Sequence, residues 1–159
     1  MTRRIILEPL TPEAFAPFGD VMEPAEPGIR ASLMESLASR GAATQPKLSF
    51  STAKSWDLPL EATQMERHML TCQCFVPMDV ERYVVMVARD MGGRPDVDRL
   101  RAFLARGDQA VNYHLGTWHH PSRVLDRPGR LAVLMWTTGN KPDDEEWFTL
   151  PEPVTISIG

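Results

Sequence analysis

The chain has 159 residues, 43% of them hydrophobic and 24% charged, which are the proportions of one ordinary globular domain long enough for a sizeable core. Its formal net charge of -4 at pH 7 supplies no general attraction to nucleic acid or to an anionic membrane. A small anionic substrate is still allowed, because a local arginine outweighs a weak global field.

The opening MTRRIILEPL has a basic flank, but its apolar run stops at Glu8. No signal peptide is expected from it, no later run approaches transmembrane length, and a cytoplasmic protein is the default. In TPEAFAPFG, residues 11–19, Thr11 reads as a helix N-cap, Pro12 as the first helical residue and Gly19 as the stop. RASLMESLASRG, residues 30–41, reads as a second helix closed by Gly41. Short apolar stretches recur at 4–10, 47–53, 74–78, 82–88, 100–105, 109–114, 130–138, 145–150 and 154–158. Strands of that length with regular turn signals indicate a sandwich or barrel. RYVVMVA (82–88) and RLAVLMWTT (130–138) are apolar on both alternating faces, so both are expected to lie covered on two sides. The expected fold is one mostly-β domain over residues 1–159, a small barrel with one or two short helices.

Cys72 and Cys74 are the only cysteines. At i, i+2 they sit too close for an ordinary structural disulfide, and two thiols fall short of a zinc framework, so they read as buried and inert. The acidic run DDEE at 143–146 reads as a solvated loop.

The chemistry concentrates in two stretches. NYHLGTWHHP, residues 112–121, holds three of the four histidines, His114, His119 and His120, with Tyr113 and Trp118 among them. ERHMLTCQCFVP, residues 66–77, holds Glu66 and His68, which share a face if they lie on a strand, and then Gln73. The odd offset to Gln73 requires a turn or bulge at Met69–Thr71 to bring it to the same face. With that turn, Glu66, His68 and Gln73 share one face.

This arrangement resembles the two motifs of the cupin barrel. The first normally reads His-x-His followed by a Glu, and the second Pro-x-Gly-x-x-His after an earlier Gly. Glu66, His68 and Gln73 stand at the first-motif positions. His114, Gly116 and His119 stand at those of the second, with Gly107 as the earlier glycine. In metal-binding cupins these positions meet at one ion, so the resemblance implies a cupin-like barrel. It offers His68, Gln73 and His119 as ligands for a divalent metal, nickel or manganese by ligand type.

A closer resemblance is to the ureidoglycolate lyase family, itself a cupin-type barrel. It is carried by MERH with QCFVPM, by YVVMVA, by RPDVDRLRAFLARGDQAVNYHLGTWHHP and by the opening LTPEAFAPFGDVME. It implies an enzyme of ureide (allantoin, purine) catabolism that splits ureidoglycolate into glyoxylate and urea. The implied catalytic residues are Glu66, His68 and His119, with Gln73, Tyr113, Trp118 and Arg101 toward the substrate. The family also implies a homodimer, in keeping with strands apolar on both faces. Only one of Tyr113 and His114 can face the cavity, and both Tyr113 and Trp118 could serve packing instead. His120 is expected to orient the loop. Arg67, Arg82, Arg101 and Arg123 are conceivable carboxylate partners, with Arg101 preferred.

Two departures bear on the substrate carboxylate. The family usually has an Arg in the strand written here LSFSTA, where Ser51 and Thr52 stand, and charge near Trp136 and Thr137. The stretch 25–47 also lacks an expected Asn-containing segment. These departures leave two other readings open. One is a non-catalytic cupin that binds a small carboxylate or ureide, and the other a metal-dependent cupin enzyme acting on another small acid.

Overall fold

The computed structural model describes residues 3–32, 36–140 and 144–159. The strands are β1 (Arg3–Ile6), β2 (Glu8–Pro9), β3 (Gly19–Met22), β4 (Gln45–Ala53), β5 (Leu60–His68), β6 (Gln73–Pro77) and β7 (Arg82–Ala88), then β8 (Arg101–Arg106), β9 (Ala110–Tyr113), β10 (Trp118–His119), β11 (Arg123–Val124), β12 (Gly129–Thr137) and β13 (Glu145–Ser157). One helix, α1 (Pro12–Phe15), lies between β2 and β3, and a 3-10 turn at Val97–Arg99 precedes β8. An eight-stranded sheet runs β1-β13-β5-β10-β7-β8-β2 with β11 also on β7, and a five-stranded sheet runs β3-β9-β6-β12-β4. Together they form a nearly closed, single-domain barrel.

Helix α1 starts as its sequence requires. The Thr11 side chain accepts from the Ala14 N–H at 3.1 Å, and Pro12 opens the helix. It ends earlier than Gly19, which instead begins β3, pressed so closely on Asn112 that a Cβ would meet its carbonyl oxygen. The expected second helix is not formed in its described part. Ser39 bridges to Thr71, and Arg40 N–H donates to the Leu70 carbonyl, so tertiary pairing overrides local helical pattern there. Residues 33–35 of that stretch lie outside the described residues.

Strand β7 is covered on both faces, as its sequence indicates. Tyr83, Val85 and Val87 join Val21, Val111 and Leu131 in the core between the two sheets. Val84, Met86 and Ala88 join Trp118, Met65 and Ile156 on the opposite face. Strand β12 differs from expectation. Leu131 and Val133 are buried, but Arg130 is exposed and Ala132 and Leu134 only partly covered, because its neighbour β4 is an edge strand largely open to solvent. The two apolar stretches 145–150 and 154–158 belong to one strand, β13, with an irregularity between Thr149 and Val154. Cys72 and Cys74 are free and buried, and burial pushes the Cys74 thiol up to about 11. Among the described residues, no helix is long and apolar enough to cross a membrane.

Candidate active site

Three short segments build the site. Strand β5 alternates, so Met65 and Arg67 take one face while Glu66 and His68 take the other. The chain then leaves the eight-stranded sheet at His68, bends through Met69–Leu70 and enters the five-stranded sheet at Gln73. The irregularity expected there is thus a change of sheet. Strand β10 sets His119 opposite Glu66 on β5 and opposite Val87 on β7. Its approach depends on Gly116, whose φ of +78° is left-handed and whose missing Cβ leaves room for the Met69 sulfur.

In the interior, Glu66, His68 and His119 offer three ligand atoms that all lie within 4.8 Å of one another. Both imidazoles are held from behind. His119 Nδ1 is 3.0 Å from the Thr117 carbonyl, which can only accept, so Nδ1 carries the hydrogen and Nε2 faces the cavity as an acceptor. His68 Nδ1 is 3.2 Å from Asp144 Oδ1, and Asp144 Oδ2 accepts the Leu70 N–H at 2.6 Å. His68 Nε2, His119 Nε2 and Gln73 Oε1 are buried with no hydrogen-bond partner. Three orphaned polar atoms of this kind mark a place built to receive something polar. His119 Nε2 lies 3.4 Å from Glu66 Oε1, too long and off-line for a good hydrogen bond. Burial opposes the Glu66 charge, but the contact with His119 and the fields of His119, His68 and His120 prevail and hold its pKa below the ordinary carboxylate value.

Tyr113 faces this group and His114 does not. The Tyr113 ring stacks on His119, whereas His114 Nε2 reaches Asp20 at 2.8 Å on the surface. Gln73 stands opposite Tyr113 across the β6–β9 ladder, so its side chain leaves the same face. His120 is buried, with Nδ1 2.9 Å from the Gln64 carbonyl and its own N–H on the Met86 carbonyl. Burial holds its pKa below the usual histidine value.

Two expected substrate contacts are elsewhere. Trp118 points to the opposite face of its sheet, donates from Nε1 to Asp90 and lies under the Arg67 guanidinium. Strand alternation at His119 forces this. Arg101 shares the row that runs through Val87 to His119, but its guanidinium is bound by both oxygens of Glu8 and by the Ala14 carbonyl. Arg82 is paired with Asp126, and Arg123 lies over Trp56. Of the positions read as departures, Ser51 shares the inward face of β4, while Thr52 and Trp136 alternate outward and so do not change the cavity's polarity.

Sequence reasoning missed Asp144. It belongs to a run read as solvated, yet its side chain is only 3% exposed. Asp143, in the same run, lies outside the described residues. It also missed Trp147, which stands opposite Glu66 on the same face and half exposed at the rim. A Glu four to five residues after the His-x-His pattern was the signal sought, so an acid 76 residues away carried no sequence signal.

The donor set suits a divalent ion: one carboxylate, two imidazoles whose free nitrogens turn inward, and a buried amide oxygen nearby. The family model described as ureidoglycolate lyase matches residues 2–157. A ureidoglycolate lyase of Brucella melitensis is 37% identical over 153 residues, covering 91% of this chain and 89% of that protein. One from Brucella anthropi is 35% identical over the same shares. One from Pseudomonas aeruginosa is 34% identical over 165 aligned residues, covering 97% and 96%. With a match that runs nearly end to end and spans the buried cluster, this chain belongs to the ureidoglycolate lyase family.

Proposed function

We propose that this protein is a lyase that cleaves ureidoglycolate to glyoxylate and urea in ureide breakdown. The observation that carries it is the inward-facing group of Glu66, His68 and His119, with two unpaired imidazole nitrogens, in a chain of this family. The substrate is a carbinol-urea. The His119 Nε2 lone pair takes the hydroxyl proton, the C–O bond becomes the aldehyde, and the C–N electron pair leaves with the urea nitrogen. His68 Nε2 hands that nitrogen a proton. Glu66, within 4.8 Å of both imidazole nitrogens, carries the proton from one ring back to the other, so the cycle closes without net proton change. Tyr113 fixes the plane of His119, and Asp144 that of His68.

Glu66, His68, His119 and the Gln73 amide oxygen would hold a divalent ion, nickel or manganese by ligand type. When bound, such an ion would supply Lewis-acid activation of the substrate's hydroxyl oxygen, easing loss of its proton. The test is release of glyoxylate from ureidoglycolate by purified protein, before and after chelator, with elemental analysis expected to give at most one transition metal per chain. No glyoxylate under either condition refutes the reading.

The partner expected besides the small ureide is a second copy of the chain. The outer face of the five-stranded sheet carries Leu48, Phe50 and Val76 exposed, with Ala132 and Leu134 partly covered between them and exposed Met78 just past the end of β6. These residues end in the open edge strand β4. A largely apolar sheet face at an open edge, with its one strand cation Arg130 paired to Asp79, suits a two-fold, self-complementary contact better than a charged partner. Sedimentation should give a dimer, and Phe50→Glu a monomer. A wild-type monomer at micromolar concentration refutes it. The reactions assigned to this chain are those of a cytoplasmic metabolic enzyme, and that is the compartment we assign.

A further inference from the structure

We propose that Lys47 is the cation that receives the substrate carboxylate. This inference rests on the ureidoglycolate reading above and adds the residue that orients the substrate in that site.

The five-stranded sheet carries an unbroken cross-strand row. Lys47 on β4 stands opposite Met135 on β12, Met135 opposite Gln73 on β6, and Gln73 opposite Tyr113 on β9. Directly opposed residues of antiparallel strands project from the same face. Two contacts fix which face this is. Tyr113 stacks on His119, and Gln73 Nε2 lies 3.9 Å from the Met135 sulfur. The row therefore runs along the barrel interior from the His119 ring outward to the rim, and Lys47 ends it. Two interstrand steps of about 4.8 Å separate Lys47 from Gln73. The flexible four-carbon lysine stem covers much of that span.

The chemistry supports the same placement. Glu66 and Asp144 make the inner end of the site acidic, so an anionic substrate group is turned away from them toward the rim. The neighbouring arginines are otherwise engaged. Arg67 lies on the other face of β5 between Asp90 and Glu146, Arg101 is held by Glu8, and Arg40 donates to the Met69 carbonyl. Among the described residues, the Lys47 side chain shares none of these acidic or carbonyl partners, and Lys47 is exposed on the edge strand. In this orientation the carboxylate points to Lys47 while the hydroxyl and the scissile C–N bond lie over His119 and His68. The half-exposed Trp147 borders the other sheet's side of the opening.

The experiment is steady-state kinetics on the full chain with Lys47→Met, Lys47→Arg and, as a control, Lys54→Met. Inhibition by glyoxylate, which has the carboxylate, is compared with inhibition by urea, which lacks it. Loss of a charge-assisted contact should raise KM for ureidoglycolate and the glyoxylate inhibition constant by about tenfold or more in Lys47→Met. The urea constant and the kcat should stay within about twofold, and Lys47→Arg should recover most of the loss. An active wild type whose Lys47→Met variant keeps both KM and the glyoxylate constant within twofold overturns the assignment of Lys47 alone. A wild type that releases no glyoxylate overturns the proposed reaction, and this inference with it.

Discussion

The Tyr113 and His119 rings lie face to face, with centroids 4.1 Å apart and an interplanar angle of 10°. They come from different sheets, Tyr113 from β9 and His119 from β10. The stack therefore fixes the histidine plane from across the barrel, while the Thr117 carbonyl fixes its tautomer. The phenol itself does little, since its oxygen is 3.5 Å from Ser122 and burial keeps it protonated well above the usual tyrosine range. Tyr113→Phe should accordingly retain activity within about twofold. Tyr113→Leu removes the ring, and an aromatic contact of about 0.5–1.5 kcal/mol corresponds to a loss of up to about tenfold in kcat. Equal activity of the two variants would show that the ring plane does not matter.

Asp144 serves two donors at once, the His68 ring and the Leu70 N–H. An amide has only one acceptor oxygen, so Asp144→Asn must fail one of them. Loss of the group that orients a catalytic or ligating histidine typically costs about 10–100-fold. Turnover should fall by that factor, and the pH profile of kcat/KM should shift. A folded Asp144→Asn protein with wild-type rate and profile would show that Asp144 only pins the loop.

The histidine positions were legible because they rest on local geometry. A period of two places Glu66 and His68 together, and the turn at Gly116 delivers His119 beside them. The barrel was legible from strand-length apolar runs. What escaped depends on partners far along the chain. Asp144 looks like any other acid in DDEE until His68, 76 residues away, is seen to face it. Residues 30–41 have helical spacing, but Ser39 finds a strand partner in Thr71. The inward position of Lys47, like the outward positions of Thr52 and Trp136, follows only from the register of β4 on β12. A one-residue slip would reverse all three.

Arg101 is a structural residue, tying β8 to Glu8 in β2 and to Ala14 in α1. Arg101→Met should leave kcat and KM near wild type. It should lower stability by about 1 kcal/mol, the upper range for a partly exposed pair, which is about 2–4 °C in Tm at this size. The hydrogen bond from Arg101, against a small burial penalty, lowers the Glu8 pKa. Its folded value therefore lies below the unfolded one, so the contribution is present above about pH 4.3 and lost as pH falls through the lowered value. The difference in stability between wild type and Arg101→Met should narrow on acidification. A large loss of kcat/KM with unchanged Tm would return Arg101 to the substrate.

His119 and His120 are neighbours with different work, and their alanine variants should separate it. His119 turns Nε2 into the cavity beside Glu66. Whether that nitrogen moves a proton or grips an ion, its loss removes a reacting group, and such losses typically cost about 10²–10⁴-fold in rate. His120 turns the other way, to the Gln64 carbonyl, and clips β10 to its neighbour strands through its N–H on Met86. His120→Ala should therefore act on the fold. A buried polar side chain lost from a packed site costs about 1–3 kcal/mol and leaves the Gln64 carbonyl without its donor. Thermal unfolding measured beside glyoxylate release distinguishes the two effects. The expected result is a folded, nearly inactive His119→Ala protein and a less stable His120→Ala protein that keeps most of its rate well below its Tm. If His119→Ala retains half the wild-type rate, the assignment of His119 to the chemistry is wrong.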